Sequence, residues 1–258
     1  MPSSSILTLL FGWWPDVQLD ILQDNLATYR PGFSFLAHPA NKLQGAFRAV
    51  SKLAFSEQGG FSSETSRGRA KQRQYLNESD SFVRLLYAAM HLTSGMLARG
   101  EELRVLRWAD TISVQRNIFI YKGKVILVFA YNKANTNTNN SFYIVRSPCP
   151  MVQRVLYLYL VYIRPFRSLI SRKSGAQSTG STNPHLFSTH DSATACFSSS
   201  KAHSSLKRST AKCPTLTTTS LYRQTATSIA KKHLPALVTA FDPNTPKDYN
   251  GFLQLLAF

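Results

Sequence analysis

The amino-acid sequence predicts a mainly helical protein that contains one small antiparallel sheet of three strands. Apolar residues recur at helical spacing over 79–96 and again over 151–170. Between these stretches, residues 117–148 alternate with the period of two that is typical of strands. With 258 residues, 43% of them hydrophobic, the chain is long enough to bury the core of one large domain or two small ones.

The first part of the chain is predicted to be a helical N-terminal segment, residues 1–56, followed by a linker. Helical patches are expected at 16–30 and 41–56, on either side of a turn-rich stretch. Residues 57–75 are rich in Ser, Gly and basic residues, and this composition predicts a connector rather than a packed element.

Residues 76–258 are predicted to form the second domain, which begins with two helices. The first would start at Ser79 or Asp80 as N-cap, and the second, after Gly100, would turn Leu103 and Leu106 inward before it ends near 108–110.

Three predicted strands follow, at 117–121, 125–131 and 141–148, with a Lys-Gly-Lys turn after the first and an Asn/Thr-rich loop after the second. A buried helix over 151–170 and a helix over 219–234 complete the elements. The stretch between them, about 171–218, is dense in Ser, Thr and basic residues, so we expect a flexible insertion in which only 185–188 is ordered.

The charge balance indicates the class of partner. Thirty Lys and Arg against thirteen Asp and Glu give a net charge of +17, spread from Arg30 to Lys247. A basic surface this broad favours a polyanion, most often nucleic acid, and the alternative is a protein that its charge merely keeps soluble.

The sequence lacks the signatures of several other classes of protein. The three cysteines have neither CxxC nor zinc-ligand spacing, which suits a reducing compartment, and no signal peptide is predicted. The longest apolar run, 155–163, is too short to cross a bilayer, so no membrane partner is expected. We find no P-loop, dinucleotide-binding turn, HExxH or two-metal carboxylate cluster, and therefore predict no cofactor and no metal.

The order of these elements, with "GMLARGEELRVLRWAD" at 95–110, resembles the catalytic domain of tyrosine recombinases and integrases. The chain is most similar to the fungal type found in Crypton mobile elements and beside telomere-linked RecQ-like helicases. The segments that carry this closer resemblance are "PGFSFLAHPAN", "LRVLRW", "FYIVRSP" and "LYRQTATSIAKKHLPAL". It covers most of residues 30–258, and it implies the recombinase catalytic-domain fold.

The resemblance implies a transition state in which a tyrosine attacks a DNA phosphodiester and arginines hold the charged phosphate oxygens. Arg99 matches the first arginine of the family, and Glu102 matches the acid that orients this turn. The simpler alternative is that Arg99 and Glu102 form an ordinary i,i+3 pair on a helix surface, which is worth a few tenths of a kcal/mol.

Lys133 lies in the loop where the family keeps a lysine that protonates the leaving oxygen. Lys122 and Lys124, in the neighbouring turn, compete for that role, and all three are alternatively solvated loop lysines. We predict that Lys122, Lys124 and Arg104 contact DNA.

Arg223 matches the second arginine of the family, in its H-x-x-R helix, although Ser220 stands where the family has histidine. The nucleophile is expected well beyond Arg223 and after a Gly-His pair, and no such signature occurs up to Phe258. Tyr249 is a poor candidate, so the sequence is expected to stop before the catalytic end.

We therefore expect a DNA-binding, tyrosine-recombinase-like fragment from a mobile-element or subtelomeric locus, nuclear, with double-stranded DNA as partner and homo-oligomers on DNA as an open possibility. The alternatives are the product of a decayed reading frame and a basic protein-interaction module that has no enzymatic activity. Whether any activity in DNA recombination or integration is retained stays open.

A first prediction concerns cleavage. Because the transition state needs an attacking phenolate, arginines without a nucleophile bind a phosphodiester but do not cleave it. The chain should form no covalent complex with nicked duplex DNA. A denaturation-resistant adduct on a gel would contradict this, and its disappearance in Tyr249→Phe would identify the nucleophile.

Overall fold

The computed structural model describes residues 17–95, 100–131, 142–175, 183–192 and 195–211, together with Gln224, Ser228 and Lys232, and about half of these residues are helical. The helices are α1 (Phe47–Phe55), α2 (Ser66–Thr93), α3 (Gly100–Arg104), α4 (Pro150–Leu158), α5 (Arg164–Lys173) and α6 (Ser199–Ser209). The strands are β1 (Ile118–Tyr121), β2 (Lys124–Tyr131) and β3 (Phe142–Arg146). The predicted class, mainly helical with one small sheet, is confirmed.

The sheet has the order β1-β2-β3, and both pairs of strands are antiparallel, as the sequence predicts. Lys122 and Gly123 connect β1 to β2 with φ angles of 48° and 72°. Two positive φ angles in a two-residue loop define a type I′ turn, whose twist matches that of the strands. Ile118 pairs with Leu127 in this hairpin, and both side chains are fully buried. They belong to the main core, the hydrophobic cluster that the sheet forms with α2 and α4.

The helix predicted over 151–170 is present as α4 and α5, joined by one wide π turn at Tyr159–Ile163. The turn lies just before Pro165, which has no N–H to donate to the preceding turn, so the regular ladder cannot continue there. No helix in the described part of the chain is long and apolar enough to cross a membrane.

The segment predicted as a linker differs in the structure, because α2 begins at Ser66 and includes its second half. Thr65 caps this helix by accepting a hydrogen bond from the N–H of Gly68 at 3.0 Å. A Cβ on Gly68 would lie 1.8 Å from the carbonyl oxygen of Ser62, so this glycine permits a close backbone contact rather than flexibility. Phe61 is buried in a second, small core that α1, α2 and α5 form. Ser79 lies inside α2 rather than at its start.

The N-terminal segment also departs from the prediction. Residues 17–41 form turns and two short 3₁₀ helices, Phe35–Ala37 and Pro39–Asn41, instead of the α-helix expected at 16–30. Val17 and Leu19 pack into the main core with the sheet and α2, so side chains from both predicted domains share one core.

The insertion that the sequence predicts to be flexible is ordered over 183–192 and 195–211. Its apolar side chains are fully or almost fully buried in or beside the main core, and they are Leu186, Phe187, Phe197 and Leu206. Single apolar residues separated by Ser and Thr show no period, which is why composition alone predicts disorder here.

A buried ion pair joins the N-terminal segment to the sheet. Arg116 donates to Asp24 at 2.8 Å and to Asp110 at 3.0 Å, and all three side chains are completely buried. The guanidinium also lies between two rings, 5.0 Å from the centroid of Phe33 and 4.4 Å from that of Phe119. The main-chain N–H of Ile120 donates to the second oxygen of Asp24 at 3.0 Å, so the carboxylate also holds β1 directly.

A second buried ion pair joins α2, α5 and the segment after residue 183. Arg167 donates to Asp80 at 2.6 Å and to the carbonyl oxygen of Ser188 at 2.8 Å. The other oxygen of Asp80 lies 2.9 Å from the ring Nδ1 of His190. Asp80 is therefore a partner of two long-range contacts rather than the N-cap that the sequence indicates.

We predict that Arg116→Met lowers the free energy of unfolding by about 3–5 kcal/mol, because it leaves two buried carboxylates without their cation. Asp24→Asn retains the pair with Asp110 and should cost about 1–3 kcal/mol. Urea unfolding measures both, with the exposed Glu57→Gln as the control, which should cost less than about 0.5 kcal/mol. A decrease under about 1 kcal/mol for Arg116→Met would mean that the pair does not hold the two parts together.

Candidate nucleic-acid interface

The RxxE turn predicted from the sequence is described from Gly100 onward. Helix α3 carries Glu101 and Glu102 in its first turn, where carboxylates suit the positive end of the helix dipole. Leu103, on the inner face, is 1% exposed, as the sequence predicts, and the helix ends at Arg104, earlier than expected. Arg99 lies outside the described residues.

Arg104, a predicted DNA contact, is engaged within the protein. Its guanidinium pairs with Glu101 and also donates to the carbonyl oxygen of Phe197 and to the sulfur of Cys196, both at 3.1 Å. The hydrogen bond from Arg104, followed by one from Ser199, holds the pKa of Glu101 below its usual value. These contacts attach the start of α6 to α3, so fewer donors of Arg104 remain for a phosphate.

Lys122 and Lys124, the other predicted DNA contacts, are exposed at the β1–β2 turn. The opposite end of β1 adjoins Asn117, whose amide oxygen accepts a hydrogen bond from the N–H of Arg107 at 2.9 Å. At 3.3 Å per residue, Lys122 lies about 17 Å along the strand from Asn117. The turn is therefore at the end of the sheet away from the segment that follows α3, and the choice among the three lysines stays a prediction.

The remaining predicted site residues, Lys133, Arg223 and Tyr249, lie outside the described residues, as Arg99 does. The catalytic constellation therefore stays a prediction. Among the described tyrosines, burial raises the pKa of Tyr87 and of Tyr157 to about 12. Both phenols therefore lose their proton less readily than an ordinary tyrosine, which makes them poorer nucleophiles.

The structure shows a basic surface that the sequence pattern does not reveal, the outer face of α2, where Arg73 and Arg84 lie on the same side of the helix. Arg67, Arg73 and Arg84 lie on this helix, and none forms an ion pair within the described part of the chain. Arg67 and Arg73 are exposed, and Arg84 is half-buried. The composition around Arg67 and Arg73 is that of a linker, so the sequence does not indicate that these residues lie on a helix.

Arg84 lines a cavity of about 270 Å³, which we call the α2–α6 groove. It is lined by Ser81, Arg84 and Leu85 of α2 and by Ser204, Ser205, Arg208 and Ser209 of α6. The serine hydroxyls donate to carbonyl oxygens of their own helices at 2.7–3.1 Å. Because those protons are in use, the two arginines are the groove's donors toward an incoming anion, and Nε of Arg84 has no hydrogen-bond partner among the described residues.

No metal centre accompanies this surface in the described residues. They contain no group of three or more His, Cys, Asp or Glu side chains that is placed to hold an ion. The arginines of this surface provide permanently charged guanidinium groups with planar N–H donors, and such groups suit phosphate oxygens.

Comparisons with protein-family models, with curated proteins and with solved structures find no match to this chain. The interface is therefore defined by its own geometry and charge.

One contact near α3 leads to a prediction about how the free energy of unfolding depends on pH. His185 Nδ1 lies 3.2 Å from the carbonyl oxygen of Val105 and ties the 183–188 stretch to the residues after α3. Burial lowers the pKa of His185, and the nearby charges of Arg107, Arg164 and Arg104 lower it further, against the effect of the Val105 carbonyl.

Because the folded pKa of His185 is below the unfolded value of about 6.5, the unfolded chain binds the proton more readily. The free energy of unfolding should therefore fall as the pH drops below about 6.5 toward the folded pKa, and this decrease should be smaller in His185→Gln. Urea unfolding at a series of pH values measures it, with the exposed His203→Gln as control. An identical pH dependence in wild type and His185→Gln would contradict the assignment.

Proposed function

We propose that this protein binds duplex DNA through its phosphate backbone, as a tyrosine-recombinase-like protein of a mobile-element or subtelomeric locus, and that it acts in the nucleus. The single observation that carries the binding proposal is a group of arginines on α2 and α6 that form no ion pair in the described part of the chain: Arg67, Arg73, Arg84 and Arg208.

The distribution of acids supports the proposal. Asp24, Asp80 and Asp110 are all buried and paired with arginines of the core. Of the thirteen acidic residues, these three lie in buried ion pairs with Arg116 and Arg167, so they do not pair with the exposed cations. The large net positive charge therefore lies outside these buried pairs, and such a surface attracts a polyanion.

The beginning of α2 supports it further. Four cations, Arg67, Arg69, Lys71 and Arg73, lie in the first turns of this helix, and the first turn has no acidic residue. The cations of the first turn, Arg67 and Arg69, each oppose the helix dipole at a cost of about 0.3–1 kcal/mol. The arrangement is unfavourable for the free protein, and a bound phosphate backbone would reverse the sign of this contribution.

The recombinase part of the proposal is supported by the order of elements. A long helix, a short helix with Glu102, a three-stranded antiparallel sheet and a further long helix follow one another as the resemblance implies. The roles of Arg99, Lys133 and Arg223 belong to the proposal and await direct test.

The experiment is fluorescence anisotropy with a labelled duplex at a series of salt concentrations. Arg73→Gln, Arg84→Gln and Arg208→Gln are combined in one variant. The slope of log K against log salt should decrease in magnitude by about 0.9 for each phosphate that this variant no longer neutralises, about 3 in total. The matched control combines Arg48→Gln, Lys52→Gln and Arg154→Gln, three exposed cations away from this face.

The control variant should bind as the wild type does, apart from a small change due to net charge. A third variant, Lys122→Gln with Lys124→Gln, tests the turn predicted from the sequence. Equal decreases in the α2–α6 variant and the control would contradict the assigned face, and no binding by the wild type at about 50 mM salt would contradict DNA binding altogether.

A further inference from the structure

A second cavity, of about 320 Å³, lies between the N-terminal segment and the α4–α5 helix. We call it the Arg164 cavity. Its apolar lining includes Leu36, Phe47, Trp108 and Leu160, and it shares no residue with the α2–α6 groove. The proposed DNA contacts on α2 and α6 therefore leave this cavity without a role.

Two buried polar groups line the Arg164 cavity. Ser34 is 1% exposed, and its hydroxyl has no hydrogen-bond partner among the described residues. Arg164 is 6% exposed, and its Nε has no partner there either. A buried hydroxyl or guanidinium N–H that makes no hydrogen bond is unfavourable, so the polar side of this cavity is not fully satisfied within the described residues.

The charge of Arg164 is unbalanced within the described part of the chain. Its guanidinium donates to the carbonyl oxygen of Asn183 and lies 4.9 Å from the ring centroid of Trp108, but no carboxylate there is within ion-pair distance. The lining contains no Asp or Glu, whereas Arg172 adds a second cation at the exposed rim. Every charge that faces the Arg164 cavity from these residues is positive.

We propose that the Arg164 cavity binds a small organic carboxylate with a compact apolar body. The carboxylate supplies the acceptor oxygens that Arg164 and Ser34 lack, and the hydrocarbon part packs against the apolar wall. A volume of about 320 Å³ is at the lower end of the range for ligand sites, about 300–1,000 Å³, and suits a ligand the size of one ring with a short side chain.

The electrostatics agree with this assignment. Burial lowers the pKa of Arg164, Tyr159 acts in the opposite direction, and the neighbouring charge of Arg167 lowers the pKa further. Arginine nevertheless stays charged at neutral pH, so a bound anion gains a permanent partner inside a region of low dielectric.

The test uses three probes in calorimetric titrations of the whole chain. 3-Phenylpropionate has both features, acetate has the charge without the body, and 3-phenylpropan-1-ol has the body without the charge. We expect a Kd of about 1 mM or lower for 3-phenylpropionate and at least about tenfold weaker binding for the other two. Absence of 3-phenylpropionate binding, or equal binding of the alcohol, would overturn the proposal.

Variants locate the site. Ser34→Ala should weaken 3-phenylpropionate about fivefold or more while it leaves Tm unchanged or raises it, because the hydroxyl that it removes has no partner among the described residues. Ala37→Leu, which fills space in the Arg164 cavity, should also weaken the ligand without affecting duplex DNA binding. Arg172→Gln tests the rim against Arg154→Gln, an exposed arginine of the adjoining helix that does not line the cavity.

Unchanged affinity in both Ser34→Ala and Ala37→Leu would place the ligand elsewhere and refute the site. A decrease in affinity in Arg154→Gln as large as that in Arg172→Gln would show that net charge alone determines binding. Because duplex DNA binding is measured on the same variants, failure of this proposal is distinguishable from failure of the DNA-binding proposal.

Discussion

The burial of Arg116 is the constraint on which the rest of the structure depends. One guanidinium joins two carboxylates, Asp24 and Asp110, that are far apart in sequence, and all three side chains are removed from water. A cation so buried needs nearby acceptors, and Arg116 also donates to the carbonyl oxygens of Asn25 and Thr28 at 2.9 and 3.3 Å. Residues 17–41 are thereby fixed against the sheet, although their regular structure is limited to two short 3₁₀ helices.

The distribution of charged side chains between core and surface also determines the character of the surface. The chain has few acids, and the fold places Asp24, Asp80 and Asp110 inside, each paired with an arginine. Cations on the outer face of α2 and at the end of α6 are left with no counter-ion in the described residues. The buried ion pairs and the unpaired cations at the surface of the described part of the chain are thus two results of one distribution of charge.

Much of the fold was predictable where local periodicity coincides with the final contacts. Runs of β-branched, aromatic and other apolar residues mark the three strands and the 151–170 helix, and Leu103 and Leu106 are buried as their spacing indicates. The start of α2 was not predictable in this way. Its first turns are polar and basic because they face outward, so they have the composition of a linker. Phe187 and Phe197 were missed because each is a lone apolar residue in a Ser/Thr-rich stretch.

The sequence by itself determined the helical class with a small sheet, the excess of positive charge, and the RxxE and hairpin positions that resemble a recombinase, because composition and spacing are local properties. Tertiary structure alone decided which charges are free. Arg116 and Arg167 are held by carboxylates that lie distant in sequence, while Arg84 is free and Arg164 is buried without a carboxylate, both among the described residues. A one-dimensional pattern counts all four arginines equally, since the distance between a cation and its counter-ion exists only after the chain has folded.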